Sequence, residues 1–258
     1  MKTGVSAVRD IFSSSVENPL PLCFPFAGRV WQNGTVGEYA LGEGKFKMPI
    51  HGFLHERSPL PDFERREIQN FKFVATSETL KMYPFYFQFD VSWQVFENKI
   101  RGDFSVIFCT SVDSQRFPLM PVAFGLHPYF TIDASITNFI DSTAKSYRTV
   151  SSVGNASESE LVFSQRRLST QSSLSQSLIL QDLETNEVFL KKPEQKIKIT
   201  FGPQKDFRYV VLWQRAQGGF QCIEPWTGLP DAVHRPNGCE WLHPEEKKNW
   251  WFEAEILS

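Results

Sequence analysis

An alternation of apolar and polar residues runs from residue 83 to residue 96. Phenylalanine, valine or tryptophan occupies every second position from Phe85 to Val95, and most residues between them are polar. A period of two over this length predicts a long β-strand with one buried face. A polar turn at 97–99 follows, and apolar residues recur at every second position from Phe104 to Phe108. The two segments therefore predict a β-hairpin.

Four further segments have the length and composition of short strands, and Pro or Gly lies in several of the gaps between them. They are 196–201, 207–213, 220–223 and 250–256. No segment, including 185–192, has the sustained 3.6-residue period of a long amphipathic helix. The Ser-rich stretch 142–177 is predicted to be a long surface loop with weak strands. The pattern predicts an all-β antiparallel sandwich or barrel, organised as a single domain over residues 1–258.

The charge and the cysteines limit the kinds of partner and the compartment. The net charge is −2 and the pI is near 6.2, so no global field attracts nucleic acid or anionic membranes. No stretch approaches the ~20 apolar residues of a membrane span, and residues 1–4 lead into no apolar signal region. Four cysteines stand far apart without a C-x-x-C pair. We expect reduced thiols and a cytoplasmic protein.

Two titratable residues stand in apolar surroundings. His127 and Glu224 each lie in an apolar run, and each is followed by a proline. Proline removes a ladder donor, so we expect both side chains to project from strand ends. Such a pair suits acid–base catalysis. The alternatives are a hydrogen-bonded core histidine and, for Glu224, a structural salt bridge or a cap.

His51 and His55 form a second group, with Glu56 beside them. Two histidines at i and i+4 can bind a metal ion from one face of a helix. Pro49 and Gly52 argue against a helix here, and no third ligand is evident from the sequence. We therefore predict no metal site.

Several motifs occur in one order along the chain, and together they resemble the aldose 1-epimerase family, in particular its bacterial LacX-like branch. They are LCFPFAGR (22–29), HGF (51–53), YPF (83–85), GLHPYF (125–130) and CIEPWTG (222–228). The resemblance covers the chain from about residue 19 onward. It implies a galactose mutarotase-like β-supersandwich of antiparallel strands and the interconversion of α and β anomers of an aldose. It implies no metal and no organic cofactor.

The resemblance also implies roles for individual residues. His127 is similar to the general acid that protonates the ring oxygen, and Glu224 to the general base that deprotonates the C1 hydroxyl. Their ordinary pKa values suit these roles, and we expect a nearby negative charge to help keep the imidazole protonated. His51 is similar to a histidine that hydrogen-bonds the sugar. Trp226 is a candidate for stacking on the sugar, and Arg29 matches a basic position in the first motif.

Three departures from the family pattern bear on the substrate. The family usually reads HGF-x-R, whereas this chain has His55 at that position and Arg57 two residues later. Both are candidate substrate-binding residues: either Arg57 reaches the pocket through a locally altered loop, or the sugar-orienting guanidinium is lost. Residues 174–180 lack the family's sugar-binding aspartate, and Asp182 is the nearest acid. The segment before the first motif is short, which predicts a sheet edge that is shortened there or covered by a partner.

Three functions remain open from the sequence. The first is an aldose 1-epimerase acting on a hexose, with a small-molecule sugar as its partner. The second is a hexose-6-phosphate 1-epimerase, in which Arg29, Arg57, Arg65 or Arg66 contacts the phosphate of a sugar phosphate. The third is a non-catalytic carbohydrate-binding or assembly protein that retains the fold.

Overall fold

Nearly all regular structure in the protein is β-strand, and the named strands pair antiparallel. The computed structural model describes residues 7–151, 154, 156–157, 160–164, 166–170, 177–215 and 219–257. Its strands, in chain order, are β1 (Leu22–Cys23), β2 (Trp31–Gln32), β3 (Thr35–Val36), β4 (Glu38–Leu41), β5 (Gly44–Lys47), β6 (Gln69–Val74), β7 (Phe85–Val95), β8 (Lys99–Ser111), β9 (Met120–Val122), β10 (Gly125–Leu126), β11 (Tyr129–Thr131), β12 (Phe139–Ser142), β13 (Ser146–Thr149), β14 (Leu161–Val162), β15 (Arg167–Ser169), β16 (Leu178–Gln181), β17 (Glu187–Lys192), β18 (Gln195–Gly202), β19 (Tyr209–Trp213), β20 (Phe220–Trp226), β21 (Glu240–Leu242) and β22 (Lys247–Leu257).

Two eight-stranded sheets contain most of these strands. The first has the order β1-β10-β20-β19-β16-β13-β14, with β11 also paired to β20. The second has the order β15-β12-β17-β18-β22-β8-β7-β6. Three two-stranded sheets join β2 to β3, β4 to β5 and β9 to β21. Helical structure in the described residues is short: the helix α1 (Ser77–Met82) and 3₁₀ segments at Ala7–Ile11, His55–Arg57 and Ala232–His234. The all-β prediction is confirmed.

The hairpin predicted from the alternating segment is present as β7 and β8. Its pairing runs from Phe85 opposite Ser111 to Val95 opposite Ile100. Alternate residues of β7 from Phe85 to Val95 are buried, and those between them are partly or largely exposed. The period of two in the sequence therefore marks the buried face of this strand.

The other predicted strands are also present. They correspond to β18, β19, β20 and β22, although β20 continues through Pro225 to Trp226 and so extends past its predicted end. Residues 185–192, which show no helical period, contain β17. The Ser-rich stretch contains the short strands β13, β14 and β15.

Aromatic side chains fill the space between the two sheets. The ring of Phe24 lies 4.7 Å from that of Phe89 and 5.1 Å from that of Phe87, and Phe124 lies 5.7 Å from Phe89. One hydrophobic cluster contains residues of both sheets, including Ile223 of β20. Such a shared core is what we expect of the single domain predicted above.

All four cysteines are free thiols, and three of them are buried. That the thiols are reduced in the cell stays a prediction. Among the described residues, no helix combines the length and the apolarity that crossing a membrane requires. The cytoplasmic location stays a prediction.

Replacing Phe89 with alanine tests the aromatic core. We expect Phe89→Ala to lower the free energy of unfolding by about 3–5 kcal/mol, because it leaves a cavity beside Phe24 and Phe124. Val74→Ala, at an exposed position of β6, is the matched control and should change it by less than about 0.5 kcal/mol. Urea unfolding followed by fluorescence measures both. Equal losses for the two variants would contradict this account of the core.

Candidate active site

A cavity of about 400 Å³ lies over one face of the first sheet, where β19 and β20 face a group of loops. Every residue of β20 is buried, because one face of this strand packs in the core and the other lines the cavity. The residues that line the cavity include Arg29, His51, His55, His127, Tyr129, Val211, Trp213, Glu224 and Trp226. Its volume falls in the range of small-molecule sites.

The register of the first sheet brings His127 and Glu224 together. Gly125 pairs with Trp226, and Tyr129 pairs with Cys222. Continuing the same register across the gap between β10 and β11 places His127 directly opposite Glu224. Facing residues of an antiparallel pair have neighbouring side chains, and His127 Nε2 lies 3.3 Å from Glu224 Oε1.

Only His127 lies at the end of a strand, and Glu224 lies inside one. Pro225 lies inside β20, opposite Val210 of β19. The interruption is instead on the other side, where β10 ends at Leu126 and β11 begins at Tyr129. The expectation that the prolines end the strands is therefore right for His127 and wrong for Glu224. The two side chains meet at a gap in the ladder within the sheet.

Burial shifts the pKa values of this pair in opposite directions. Glu224 is 1% exposed, and loss of hydration raises the pKa of its carboxyl group well above the ordinary value. The indole of Trp226 opposes part of this rise, although its N–H makes no hydrogen bond of ordinary geometry. Burial, and then the neighbouring His55, lowers the pKa of His127 to about 3. The expectation of a protonated His127 beside a carboxylate is wrong, because burial disfavours both charges.

His51 is fixed by hydrogen bonds to the loop of the first motif. Its backbone N–H donates to Gly28 O at 2.8 Å, and its carbonyl oxygen accepts from Phe24 N at 3.1 Å. The N–H of Gly28 donates to His51 Nδ1 at 3.1 Å. A neutral imidazole whose Nδ1 accepts a hydrogen bond carries its proton on Nε2. His51 therefore offers an N–H donor at the cavity wall.

The backbone around His51 depends on a glycine. His51 itself has a φ of +63°, and Gly52 follows with a φ of +75°. A Cβ atom at Gly52 would lie 2.0 Å from the carbonyl oxygen of Phe24. No other residue fits this position without moving the two loops apart.

Comparison with known proteins assigns the family. The sequence model described as aldose 1-epimerase matches residues 9–255. The chain belongs to the aldose 1-epimerase family. No curated protein sequence matches it significantly. The LacX-like branch is consistent with these findings and stays a prediction.

Solved structures of this family's fold resemble the protein along most of its length. A galactose mutarotase related enzyme from Lactobacillus acidophilus superposes with a TM-score of 0.74 at 22% identity, over 93% of this chain and 83% of that one. A galactose mutarotase-like protein from Lactobacillus casei gives 0.71 at 22% identity, over 92% and 85%. Galactose 1-epimerase from Lactobacillus acidophilus gives 0.64 at 12% identity, over 92% and 79%. The galactose mutarotase-like fold predicted from the motifs is confirmed.

His55 and Arg57, the two residues at the altered HGF-x-R motif, lie in different places. The ring of His55 stacks on that of His51, with centroids 5.0 Å apart. Arg57 lies outside the cavity, where one of its guanidinium nitrogens contacts both carboxylate oxygens of Glu78 at 3.0 and 3.1 Å. The structure therefore brings His55 to the site and leaves Arg57 out of it.

Arg29 lines the cavity, and among the described residues no carboxylate pairs with its guanidinium. Asp182 does not line the cavity, and its carboxylate accepts a hydrogen bond from Ser146. Residues 174–176, where the family pattern led us to look for an aspartate, lie outside the described residues. Within the described part of the cavity lining, Glu224 is the only acidic side chain.

Three aromatic residues form the wall beside the pair, and sequence analysis gave a role to only one of them. Trp226 is almost fully buried, and its ring lies 5.6 Å from that of His51. Tyr129 stacks on His127 with centroids 4.7 Å apart, and Trp213 meets His127 edge-on at 6.0 Å. Trp213 lies two residues after Val211, which pairs with Glu224. Only the strand register could have revealed its place in the cavity.

Two groups of residues at the cavity or directly beside it have the spacing of metal ligands. One ring nitrogen from each of His51, His55 and His127 lies within 4.8 Å of the others, so the third ligand that the sequence did not show is His127. His127, Cys222 and Glu224 form the second group. Burial raises the pKa of both Cys222 and Glu224, which keeps their protons in place. Because metal ligands must be deprotonated, the histidine group is the better metal site.

The protonation state of His51 is open to direct measurement. Burial lowers its pKa well below the ordinary value, and the charges of His127, His55 and Arg29 act in the same direction. We therefore expect the ring to stay neutral, with its proton on Nε2, at pH values where free histidine is protonated. Long-range ¹⁵N–¹H NMR of the imidazole identifies the tautomer across a titration from pH 7.5 to pH 5.5. A ring that charges in parallel with free histidine would contradict this account.

Proposed function

We propose that the protein is an aldose 1-epimerase that interconverts the α and β anomers of a hexose. The observation that supports this best is the contact of His127 Nε2 with Glu224 Oε1, 3.3 Å apart, at the wall of the cavity. Mutarotation needs one group that protonates the ring oxygen and one that deprotonates the C1 hydroxyl. Because both oxygens are bonded to the same carbon, the acid and the base must be adjacent to each other.

The pair holds one transferable proton. In the neutral form the proton is on Glu224, and in the ionic form it is on His127, so the two forms differ by a shift along one contact. Burial favours the neutral form. Sugar hydroxyl groups that reach the pair supply hydrogen bonds to both charges, which favours the ionic form. In that form His127 is the acid and Glu224 is the base.

The reaction then follows in two steps without net proton uptake. His127 gives its proton to the ring oxygen while Glu224 takes the proton of the C1 hydroxyl, so the bond from C1 to the ring oxygen breaks and a C1 aldehyde forms. After rotation about the C1–C2 bond, the former ring oxygen attacks the other face of the aldehyde. The two proton transfers reverse, which gives the other anomer and restores the pair.

The remaining wall residues hold the sugar in this proposal. The Nε2–H of His51 donates to a sugar hydroxyl group, and His55 lies beside it as a second imidazole. Trp213 is less buried than Trp226 and offers an indole surface to the apolar face of a pyranose ring. Trp226 completes the wall beside His51 and Glu224.

Substitution of the pair tests the proposed activity. We expect Glu224→Gln and His127→Asn each to lower kcat by about 10²–10⁴-fold, because each removes one positioned proton-transfer group. Polarimetry of freshly dissolved α-glucose and α-galactose measures the rate. The exposed residues Glu43 and His243 supply the matched controls Glu43→Gln and His243→Asn, which should keep wild-type rates. Wild-type protein that binds sugars but leaves their mutarotation at the buffer rate would instead favour the non-catalytic alternative.

A sugar phosphate is the second candidate substrate, and the guanidinium of Arg29 is the observation that favours it. This cation lines the cavity without a carboxylate partner in the described residues, and it is close enough to His51 to lower the pKa of that ring. An arginine can bind a phosphate through two parallel hydrogen bonds. Arg57, the alternative raised from the sequence, is paired with Glu78 outside the cavity.

Comparing two arginine variants separates the two substrates. If the substrate is a phosphosugar, Arg29→Ala should raise its KM roughly ten- to hundredfold, because a charge-assisted hydrogen bond contributes roughly 1.5–3 kcal/mol. The KM for the neutral sugar should change much less. Arg57→Ala is the comparison and should leave both KM values near wild type. An equal rise in KM for both sugars in Arg29→Ala would count against the phosphosugar as the substrate.

A further inference from the structure

The cavity contains three imidazole rings in mutual contact range. The centroid of His51 lies 5.0 Å from that of His55 and 4.9 Å from that of His127, and His55 lies 5.6 Å from His127. One ring nitrogen from each residue lies within 4.8 Å of the other two. Two nitrogens bound to one tetrahedral zinc ion lie roughly 3.3 Å apart. The nitrogens must therefore approach one another by at most about 1.5 Å to share one ion.

Two of the rings have nitrogens that the protein leaves unused. His55 Nε2 and His127 Nδ1 are buried and have no hydrogen-bond partner among the described residues. His127 is 6% exposed, so water does not readily satisfy this atom from outside. Buried polar atoms without partners call for a physical explanation, and a bound ion is one of them.

The surroundings of His127 match those of a metal-bound histidine. Ligating histidines usually present their other ring nitrogen to a carboxylate, which orients the ring and raises its basicity. Glu224 lies in that position on the Nε2 side of His127, at 3.3 Å. The Nδ1 atom of the same ring is the one without a partner.

His51 differs from the other two rings. Its Nδ1 accepts the Gly28 N–H, so its Nε2 carries a proton and has no free lone pair. It can donate a hydrogen bond to a water molecule or an anion on the metal, but it binds the metal directly only if that proton leaves. His127 can bind through Nδ1 in the tautomer that carries its proton on Nε2 and donates it to the Glu224 carboxylate, so the ion displaces the proton of Glu224. His51 could change tautomer only by losing the hydrogen bond from Gly28. The primary ligands are therefore His55 and His127.

We propose that His55 and His127 bind a divalent transition metal ion, of which Zn²⁺ is the representative, with His51 as hydrogen-bond donor to one of the water molecules or anions that complete its coordination. Imidazole nitrogen is a preferred ligand of Zn²⁺, Ni²⁺ and Cu²⁺. The HGF-x-R pattern places an arginine where this chain has His55, and a guanidinium has no lone pair to offer. The site is thus created by the residue that departs from the pattern.

Metal binding at this place has a consequence that rests on the proposed function. An ion on His127 occupies the proposed acid and the space of the sugar beside it. Zn²⁺ then acts as a reversible inhibitor of the epimerase, and a chelator restores activity. Binding of the ion itself does not depend on that function.

The test uses zinc titration of the full chain without sugar, in competition with a chromophoric chelator. We expect wild-type protein to bind one Zn²⁺ in the cavity, and His55→Arg and His55→Gln to weaken that binding by roughly tenfold or more. His243→Arg, the same change at an exposed histidine outside the cavity, is the control and should keep wild-type affinity. Circular dichroism and thermal unfolding verify that each variant is folded.

A second readout identifies the ligands. Co²⁺ in place of Zn²⁺ should give visible d–d absorption bands in wild type and in His243→Arg, and these bands should be lost in His55→Arg. Wild-type protein without zinc affinity, or a folded His55→Arg variant with wild-type affinity, would overturn the proposal. Polarimetry of metal-free protein tests the epimerase separately, so either proposal can fail while the other stands.

Discussion

The contact between Glu224 and His127 is the interaction on which the rest of the site depends. A carboxyl group almost removed from water is costly unless a partner compensates for its lost hydration, and the partner here is an imidazole on the facing chain segment, 3.3 Å away. β20 pairs with β10 on one side of this contact and with β11 on the other. The backbone pairing therefore holds the two side chains near each other, and their distance does not depend on flexible side chains alone. The rings of Tyr129 and Trp213 pack against His127 and cover more of its surface. The low polarity that results explains why both groups favour their uncharged forms.

Local pattern was enough to predict the five longest strands, β7, β8, β18, β20 and β22, and it failed where a property depends on a partner strand. The alternation at 83–96 follows from one face of β7 being buried, which is visible within one segment. Glu224 was expected at a strand end because of Pro225, but β20 continues, since the break in pairing belongs to the segment at His127 and Pro128. The place of Trp213 in the cavity follows from the pairing of β19 with β20, in which Val211 lies opposite Glu224 and Trp213 lies opposite Cys222. The exclusion of Arg57 depends on Glu78, twenty-one residues away in sequence.

The histidine cluster shows how histidine in place of the usual arginine at residue 55 changes the polar groups of the cavity wall, while the backbone there is fixed. The loop at His51 is held by Gly28, Phe24 and Gly52, so the position of its neighbour His55 is constrained as well. A long guanidinium at that position can reach a hydroxyl or an anion and carries a permanent charge. An imidazole is shorter, neutral at this depth and able to accept as well as donate. The same scaffold therefore presents a different set of atoms to whatever enters the cavity.

The hydrogen bonds that join His51 to Phe24 and Gly28 tie one wall of the cavity to the centre of the molecule, because the Phe24 ring is packed against Phe89 between the sheets. That wall can open only if the aromatic core loosens with it. Its conformational entropy is lost when the chain folds, before any ligand arrives. A ligand that reaches this side of the cavity meets donors already in position, and its affinity is not diminished by the cost of ordering them.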